Sequence, residues 1–234
     1  MPDTAPPAVV LLDIEGTIAP ISFVHDVLFP YARVRLARFL ASHASEPDIV
    51  AALAELDRIT PGAPPLETLL ALMDRDAKLA PLKHIQGRIW AQGFADGALT
   101  SDFYADVLPT LQAWHDAGTT LAVYSSGSEQ AQRLLFRHSP AGDRLSLISE
   151  FFDTRMGPKR EAASYAAIAR SLAAPAGSIL FLSDVDAELT AAAAAGFAVC
   201  QLVRPADGTL AGTTHPHAAN LTSVARQFGL SQPQ

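Results

Sequence analysis

Short runs of uninterrupted apolar and β-branched residues, separated by helical stretches, constrain this chain most. Val9-Val10-Leu11-Leu12, Thr119 to Tyr124, Ile179-Leu180-Phe181-Leu182 and Phe197 to Val203 show no polar alternation. Strands of this kind bury both faces, which is the habit of parallel sheets covered by helices. Between them, Val107–Ala117, Glu129–Arg137, Glu161–Leu172 and Ala187–Ala195 have helical patterns. Strands alternating with helices predict an α/β, Rossmann-like parallel sheet. In such sheets functional residues collect at the C-terminal ends of the strands.

One long stretch departs from this alternation. From Ser22 to about Val107 apolar residues recur at three- and four-residue spacing, with breaks at Pro47, Pro61, Pro64, Pro65 and Pro81 and no strand signal. Helices are expected over Ile49–Ile59 and Leu66–Leu79. About 85 helical residues between the first and second strands predict an inserted bundle. The expected division is residues 1–18 with 108–234 as the α/β core and 19–107 as the insert. The residues after Gln227 are expected to fray.

Composition narrows the function classes. The 234 residues suit one large domain or one domain with a smaller insert, and 49% hydrophobic residues supply a sizeable core. A net charge of −7 argues against nucleic acid or an anionic membrane as partner. No segment nears the roughly 20 apolar residues of a membrane span. Met1 to Pro7 lacks a basic region followed by an apolar one, so no secretion signal is expected. The one cysteine, Cys200, sits in an apolar run and reads as a buried structural thiol in a reducing compartment. The expectation is a cytoplasmic, monomeric protein.

Three strand ends carry polar groups. Asp13-Ile14-Glu15-Gly16-Thr17 places two carboxylates directly after a buried strand, where unpaired charge is expensive. Magnesium would remove that cost, because it takes one or two carboxylates plus phosphate and water. A carboxylate can also attack phosphorus. Ser125-Ser126-Gly127 precedes a helix; hydroxyls, N–H groups and the helix dipole there suit a phosphate, and equally the serines suit a helix cap. Lys159 lies in a loop before a helix and can neutralise phosphate, with Arg155 and Arg160 as competitors and a solvated lysine as the plainer reading. Asp184 follows the third strand and is the best second metal ligand. Glu188, four residues on, would orient Lys159 or metal-bound water, while Asp186 favours the helix N-terminus through the dipole. The seven histidines show no zinc spacing, and His215-Pro216-His217 reads as a surface loop.

The order Asp13-x-Glu15-Gly16-Thr17, Ser126, Lys159, Asp184 resembles the four motifs of the haloacid dehalogenase superfamily. Most phosphatases of that superfamily have aspartate where this chain has Glu15. Longer stretches resemble the bifunctional enolase-phosphatase family of methionine salvage. They are Leu11–Thr17, Phe29-Pro30-Tyr31, Tyr124–Ser128, Ala131–Phe136, Gly142-Asp143, Phe152-Asp153-Thr154 and Ser164-Tyr165. The resemblance runs from about Val9 to Pro205.

It implies a haloacid dehalogenase-like core with an inserted helical cap. It also implies enolisation of 2,3-diketo-5-methylthiopentyl-1-phosphate, then magnesium-dependent dephosphorylation through an aspartyl phosphate, giving the acireductone. One magnesium ion would be bound by Asp13 and Asp184 and by the backbone carbonyl of Glu15. Asp13 would be the nucleophile and Glu15 the acid and base. Ser125, Ser126 and Lys159 would contact a small phosphate ester. Leu82 to Phe94, with Gln86 and Trp90, is the expected cap segment near the site. Three other readings remain at this stage: a plain sugar-phosphate phosphatase, a phospho-accepting receiver domain, and a halide-releasing dehalogenase.

Overall fold

The computed structural model describes residues 5–233. The expectation about a secretion signal rests partly on Met1 to Thr4, which lie outside the described residues. The chain divides into two compact units. One holds the chain up to Ile21 and from Ser101 onward; the other is Ser22–Thr100.

The first unit is built on six parallel strands: β1 (Val9–Leu12), β2 (Thr120–Tyr124), β3 (Glu150–Phe152), β4 (Ile179–Ser183), β5 (Ala198–Leu202) and β6 (His217–Ala218). Their order is β3-β2-β1-β4-β5-β6. β1 therefore lies at the centre, with Leu12 level with Val123 on β2 and with Leu182 on β4. Every residue of β1 and β4 is buried, as expected for strands covered on both faces. From β1 the chain builds outward through β2 and β3, then crosses back to build β4, β5 and β6. The C-terminal end of β1 is thus the point where strand order reverses, the place where an open α/β sheet offers a crevice. Asp13 is the next residue.

The helices of the second unit are α1 (Phe29–His43), α2 (Pro47–Ile59), α3 (Pro65–Asp74) and α4 (Ala80–Ala95), entered through one π-helical turn at Phe23–Leu28. No strand interrupts them. Prolines open all four, where a missing N–H costs nothing. Expected to reach Leu79, α3 stops at Asp74, because Asp76 has a left-handed φ of 49°. In the first unit follow α5 (Val107–Asp116), α6 (Glu129–Arg137), α7 (Ala162–Ser171), α8 (Asp186–Ala194) and α9 (Leu221–Phe228). Ser128 caps α6 by accepting from Ala131 N at 3.3 Å. Around the sheet pack Tyr124, Phe152, Tyr165, Ile168, Phe181, Leu189 and Phe197.

Three expectations need correction. The sheet has six strands rather than four, because β3 and β6 are three- and two-residue edge pieces too short for any hydrophobic period. His217 is accordingly in a strand and not in a loop. The segment after Gln227 is not frayed. Leu230 is buried, its N–H bonds to Ala225 O at 2.9 Å, and Ser231 O accepts from the buried Trp114 Nε1 at 3.1 Å. Cys200 is buried, and burial pushes its thiol up to about 12. Among the described residues no helix is long and apolar enough to cross a membrane.

Candidate active site

The site grows from the loop that follows β1. Ile14 O accepts from the N–H groups of Thr17, Ile18 and Ala19, and Gly16 N bonds to Ala19 O at 2.8 Å. This tight fold needs Gly16 at φ 73°, and a Cβ there would lie 2.6 Å from Asp184 Oδ2. Gly16→Ala is therefore expected to strain the backbone by about 1–3 kcal/mol and to displace Asp184. Thermal melting and the metal concentration needed for half-maximal activity should both move.

The loop brings Thr17 between two acids. Its hydroxyl lies 3.3 Å from Asp13 Oδ2 and 3.5 Å from Asp184 Oδ1, and it accepts from Asp184 N at 3.0 Å. The carbonyl of Thr17 accepts from Arg204 Nε and Nη2 at 3.2 and 3.0 Å. Arg204 in turn pairs with Asp106 at 2.8 Å, and Asp106 Oδ2 accepts from Leu221 N at 2.7 Å. A buried guanidinium thus ties the Asp13–Thr17 loop to α9.

Lys159 completes the cluster. Its ammonium lies 2.6 Å from Asp13 Oδ1 and 2.6 Å from Glu188 Oε2. Ser183 Oγ donates to the same Glu188 oxygen at 2.9 Å. Three hydroxyls fix the backbone that carries the lysine. Tyr124 donates to Gly157 O at 2.8 Å, Ser164 to Pro158 O at 2.8 Å and Tyr165 to Lys159 O at 2.7 Å. Gly157 sits at φ 120°, a conformation that side chains rarely adopt. The Lys159 side chain is 10% exposed; its partial burial disfavours the charge, but Asp13 and Glu188 outweigh that and raise its pKa. The competing cations are elsewhere. Arg155 is 71% exposed and paired with Glu129 and Asp153, and Arg160 is exposed.

Asp184 shows what the cluster lacks. Burial, and then the charge of Asp13, push its carboxyl from 3.8 up to about 7, and burial raises Glu188 as well. One lysine faces three acids. Among the described residues no three His, Cys, Asp or Glu side chains group as a metal centre. What exists is a carboxylate pair, Asp13 and Asp184, at a strand-order reversal. A hard, oxygen-preferring divalent cation suits that donor set.

The raised Asp184 carboxyl has a pH consequence. In the metal-free protein the folded chain holds this proton more tightly than the unfolded chain. The contribution of this group to stability therefore falls as pH rises from about 4 to about 7 and levels off above that. Asp184→Asn should flatten this dependence. Melting in EDTA at pH 5 and pH 8 tests it; equal slopes for both proteins would refute the assignment.

The other expected residues occupy neighbouring positions. Glu15 is half-buried inside the Asp13–Thr17 loop. Ser125 is buried at the end of β2, with its hydroxyl accepting from Gly127 N at 3.1 Å, and Ser126 is half-buried beside it. Asp186 opens α8 4.0 Å from His215 Nε2. Sequence reasoning gave no role to Thr17, Arg204, Asp106 or Gln132. Thr17 lay inside the first motif; Arg204 and Asp106 bind backbone groups 187 and 115 residues away, and Gln132 joins Gly127 to Phe152, which no local pattern reveals.

A family model described as haloacid dehalogenase-like hydrolase matches residues 7–196. Enolase-phosphatase E1 of Acidiphilium cryptum (strain JF-5) is 67% identical over 230 residues, covering 98% of this chain and 99% of that protein. The chain belongs to the enolase-phosphatase E1 family of haloacid dehalogenase-like hydrolases. A second enolase-phosphatase E1, from Gluconacetobacter diazotrophicus, is 54% identical over 94% of each chain. The crystal structure of the UTR4 protein from Saccharomyces cerevisiae superposes with a TM-score of 0.77 at 33% identity, covering 92% of this chain and 98% of that one. The same fold occurs in CbbY from Rhodobacter sphaeroides in complex with phosphate, with a TM-score of 0.59 at 15% identity over 90% of this chain and 92% of that one. This membership settles the reading as a hydrolase in favour of the enolase-phosphatases and against the receiver-domain and dehalogenase alternatives.

Proposed function

We propose that this enzyme enolises 2,3-diketo-5-methylthiopentyl-1-phosphate and then removes its phosphate to give the acireductone of methionine salvage, with Asp13 as nucleophile. The observation that carries the site assignment is the buried Asp13–Lys159–Glu188 triad beside Asp184. One magnesium ion would be held by the carboxylates of Asp13 and Asp184 and the backbone carbonyl of Glu15. When bound, it supplies positive charge that polarises the substrate carbonyl and the phosphoryl oxygens.

The chain's own groups do the rest. Lys159 balances the charge that develops on the substrate oxygens, and Glu188 with Ser183 holds the ammonium in place. Asp13 attacks phosphorus, and the bond between phosphorus and the substrate oxygen breaks. Glu15 gives its proton to that leaving oxygen. Glu15 then takes a proton from water as the water oxygen attacks phosphorus, which frees orthophosphate and restores Asp13. Ser125 and Ser126 orient the phosphate at the end of β2. The helical unit Ser22–Thr100 is taken as the cap domain. A single buried cysteine and an acidic charge support a monomer working in the cytoplasm.

The test is the diketone phosphate, with magnesium, followed by acireductone absorbance and by phosphate release. Both signals should appear and vanish together on chelation. Phosphate release without acireductone would reduce the reading to a plain phosphatase.

A further inference from the structure

Gln132 has no part in the chemistry above, yet it is among the most thoroughly buried polar side chains, at 1% exposure. It lies on α6, the helix that follows the serine loop. Its amide nitrogen donates both hydrogens, one to Gly127 O at 2.9 Å and one to Phe152 O at 2.8 Å. Two carbonyl partners settle the orientation of the amide, since only the nitrogen can serve both.

Those two carbonyls bracket the serine loop. Gly127 follows Ser126 directly. Phe152 O also accepts from Ser125 N at 3.2 Å, so this carbonyl joins the end of β3 to the start of the loop. Ser125 Oγ accepts from Gly127 N, which closes the loop on itself. One side chain thus grips Ser125 through Phe152 and Gly127 directly, and Ser126 lies between. The helix that carries Gln132 is itself clamped to β3. Arg133 stacks over Phe151 at 4.6 Å, and Phe136 packs edge-on to the same ring at 5.7 Å.

The other half of the amide costs stability. Gln132 Oε1 is buried and has no hydrogen-bond partner among the described residues. A buried acceptor left without a partner loses the hydrogen bond that water gave it in the unfolded chain. A core chosen for stability alone has no use for a glutamine that satisfies its nitrogen and strands its oxygen. The compensation lies in the loop geometry.

We propose that Gln132 is a positioning residue for the phosphate cradle, holding the Ser125-Ser126-Gly127 loop in the shape that receives the phosphoryl group. This rests on the phosphatase reading of the site. Gln132→Met keeps the length and apolar volume but removes both donors. The loop should then relax, and groups that must meet a phosphate within a few tenths of an ångström lose their register.

The test compares wild type and Gln132→Met for KM toward the phosphate ester, for inhibition by inorganic orthophosphate, and for the magnesium concentration giving half-maximal activity. KM and the phosphate inhibition constant should rise together by about tenfold, with magnesium activation shifting by less than about twofold. Gln132→Leu serves as a second variant if the first folds poorly, with melting temperature measured beside both. A lowered melting temperature with an unchanged phosphate constant assigns Gln132 to packing alone and overturns the proposal. An equal shift in phosphate and magnesium constants overturns it too, because it shows general disorder of the site. If wild type releases no phosphate, the functional reading fails instead. Orthophosphate binding by calorimetry then still decides whether Gln132 shapes an anion cradle.

Discussion

Asp13→Asn is expected to lower phosphate release by about 10³-fold or more, with little loss of stability. Asparagine keeps the shape of the side chain, and its oxygen still accepts a hydrogen bond. What it loses is the negative oxygen that, in the proposed mechanism, attacks phosphorus and helps hold the cation. In the metal-free protein the change also removes a repulsion, since the charge of Asp13 raises the pKa of both Asp184 and Glu188. The melting temperature in EDTA should therefore stay level or rise while activity collapses. Lys159 keeps one carboxylate, Glu188 at 2.6 Å, so the ammonium is not stranded. Single-turnover phosphate release and melting, measured on the same preparation, separate the two effects. Near-normal turnover would remove Asp13 from its role.

Arg204→Met should act in the opposite sense, as a large loss of stability. Arg204 is 5% exposed, and its guanidinium makes four hydrogen bonds shared between Thr17 O and the Asp106 carboxylate, with a fifth to Ala219 O at 3.3 Å. Removing it leaves a largely buried carboxylate and an unpaired carbonyl. Breaking a buried pair on one side costs about 3–5 kcal/mol. Urea unfolding should show that loss in the midpoint. Arg204→Lys restores the charge but not the planar fork, and should recover only part of it. A loss below about 1 kcal/mol would mean that the network is not what holds the Asp13–Thr17 loop to β5 and α9.

Much of this was legible in the chain itself. Val9–Leu12 and Ile179–Ser183 are apolar without alternation because both faces of a central parallel strand are covered, so their position in the sheet is written in their composition. Asp13 and Asp184 stood out for the same reason: a carboxylate directly after such a strand is costly unless a cation or a partner offsets it. Lys159 was harder. A lysine in a loop is ordinary, and Arg155 and Arg160 competed for the same role. Only the carbonyl anchors from Tyr124, Ser164 and Tyr165 place Lys159, and not its neighbours, against Asp13.

The short edge strands and the packed C-terminus escaped for a different reason. β3 and β6 exist because a neighbouring strand offers unpaired backbone groups, and that demand comes from β2 and β5, not from Glu150–Phe152 or His217–Ala218. Ser231 is ordered by the indole of Trp114, more than a hundred residues earlier in the chain. Local sequence determined the four longer strands and the helices between them, the carboxylates that follow β1 and β4, and through long matching stretches the family they belong to, because periodicity, burial cost and motif spacing are properties of neighbouring residues. Tertiary structure alone decided which cation meets Asp13, how Thr17 is shared between two acids, and that Gln132 and Arg204 bond to the loops around them. The contacts of Gln132 with Phe152 and of Arg204 with Thr17 join residues 20 and 187 apart, and only the assembled sheet brings their backbone groups within bonding distance.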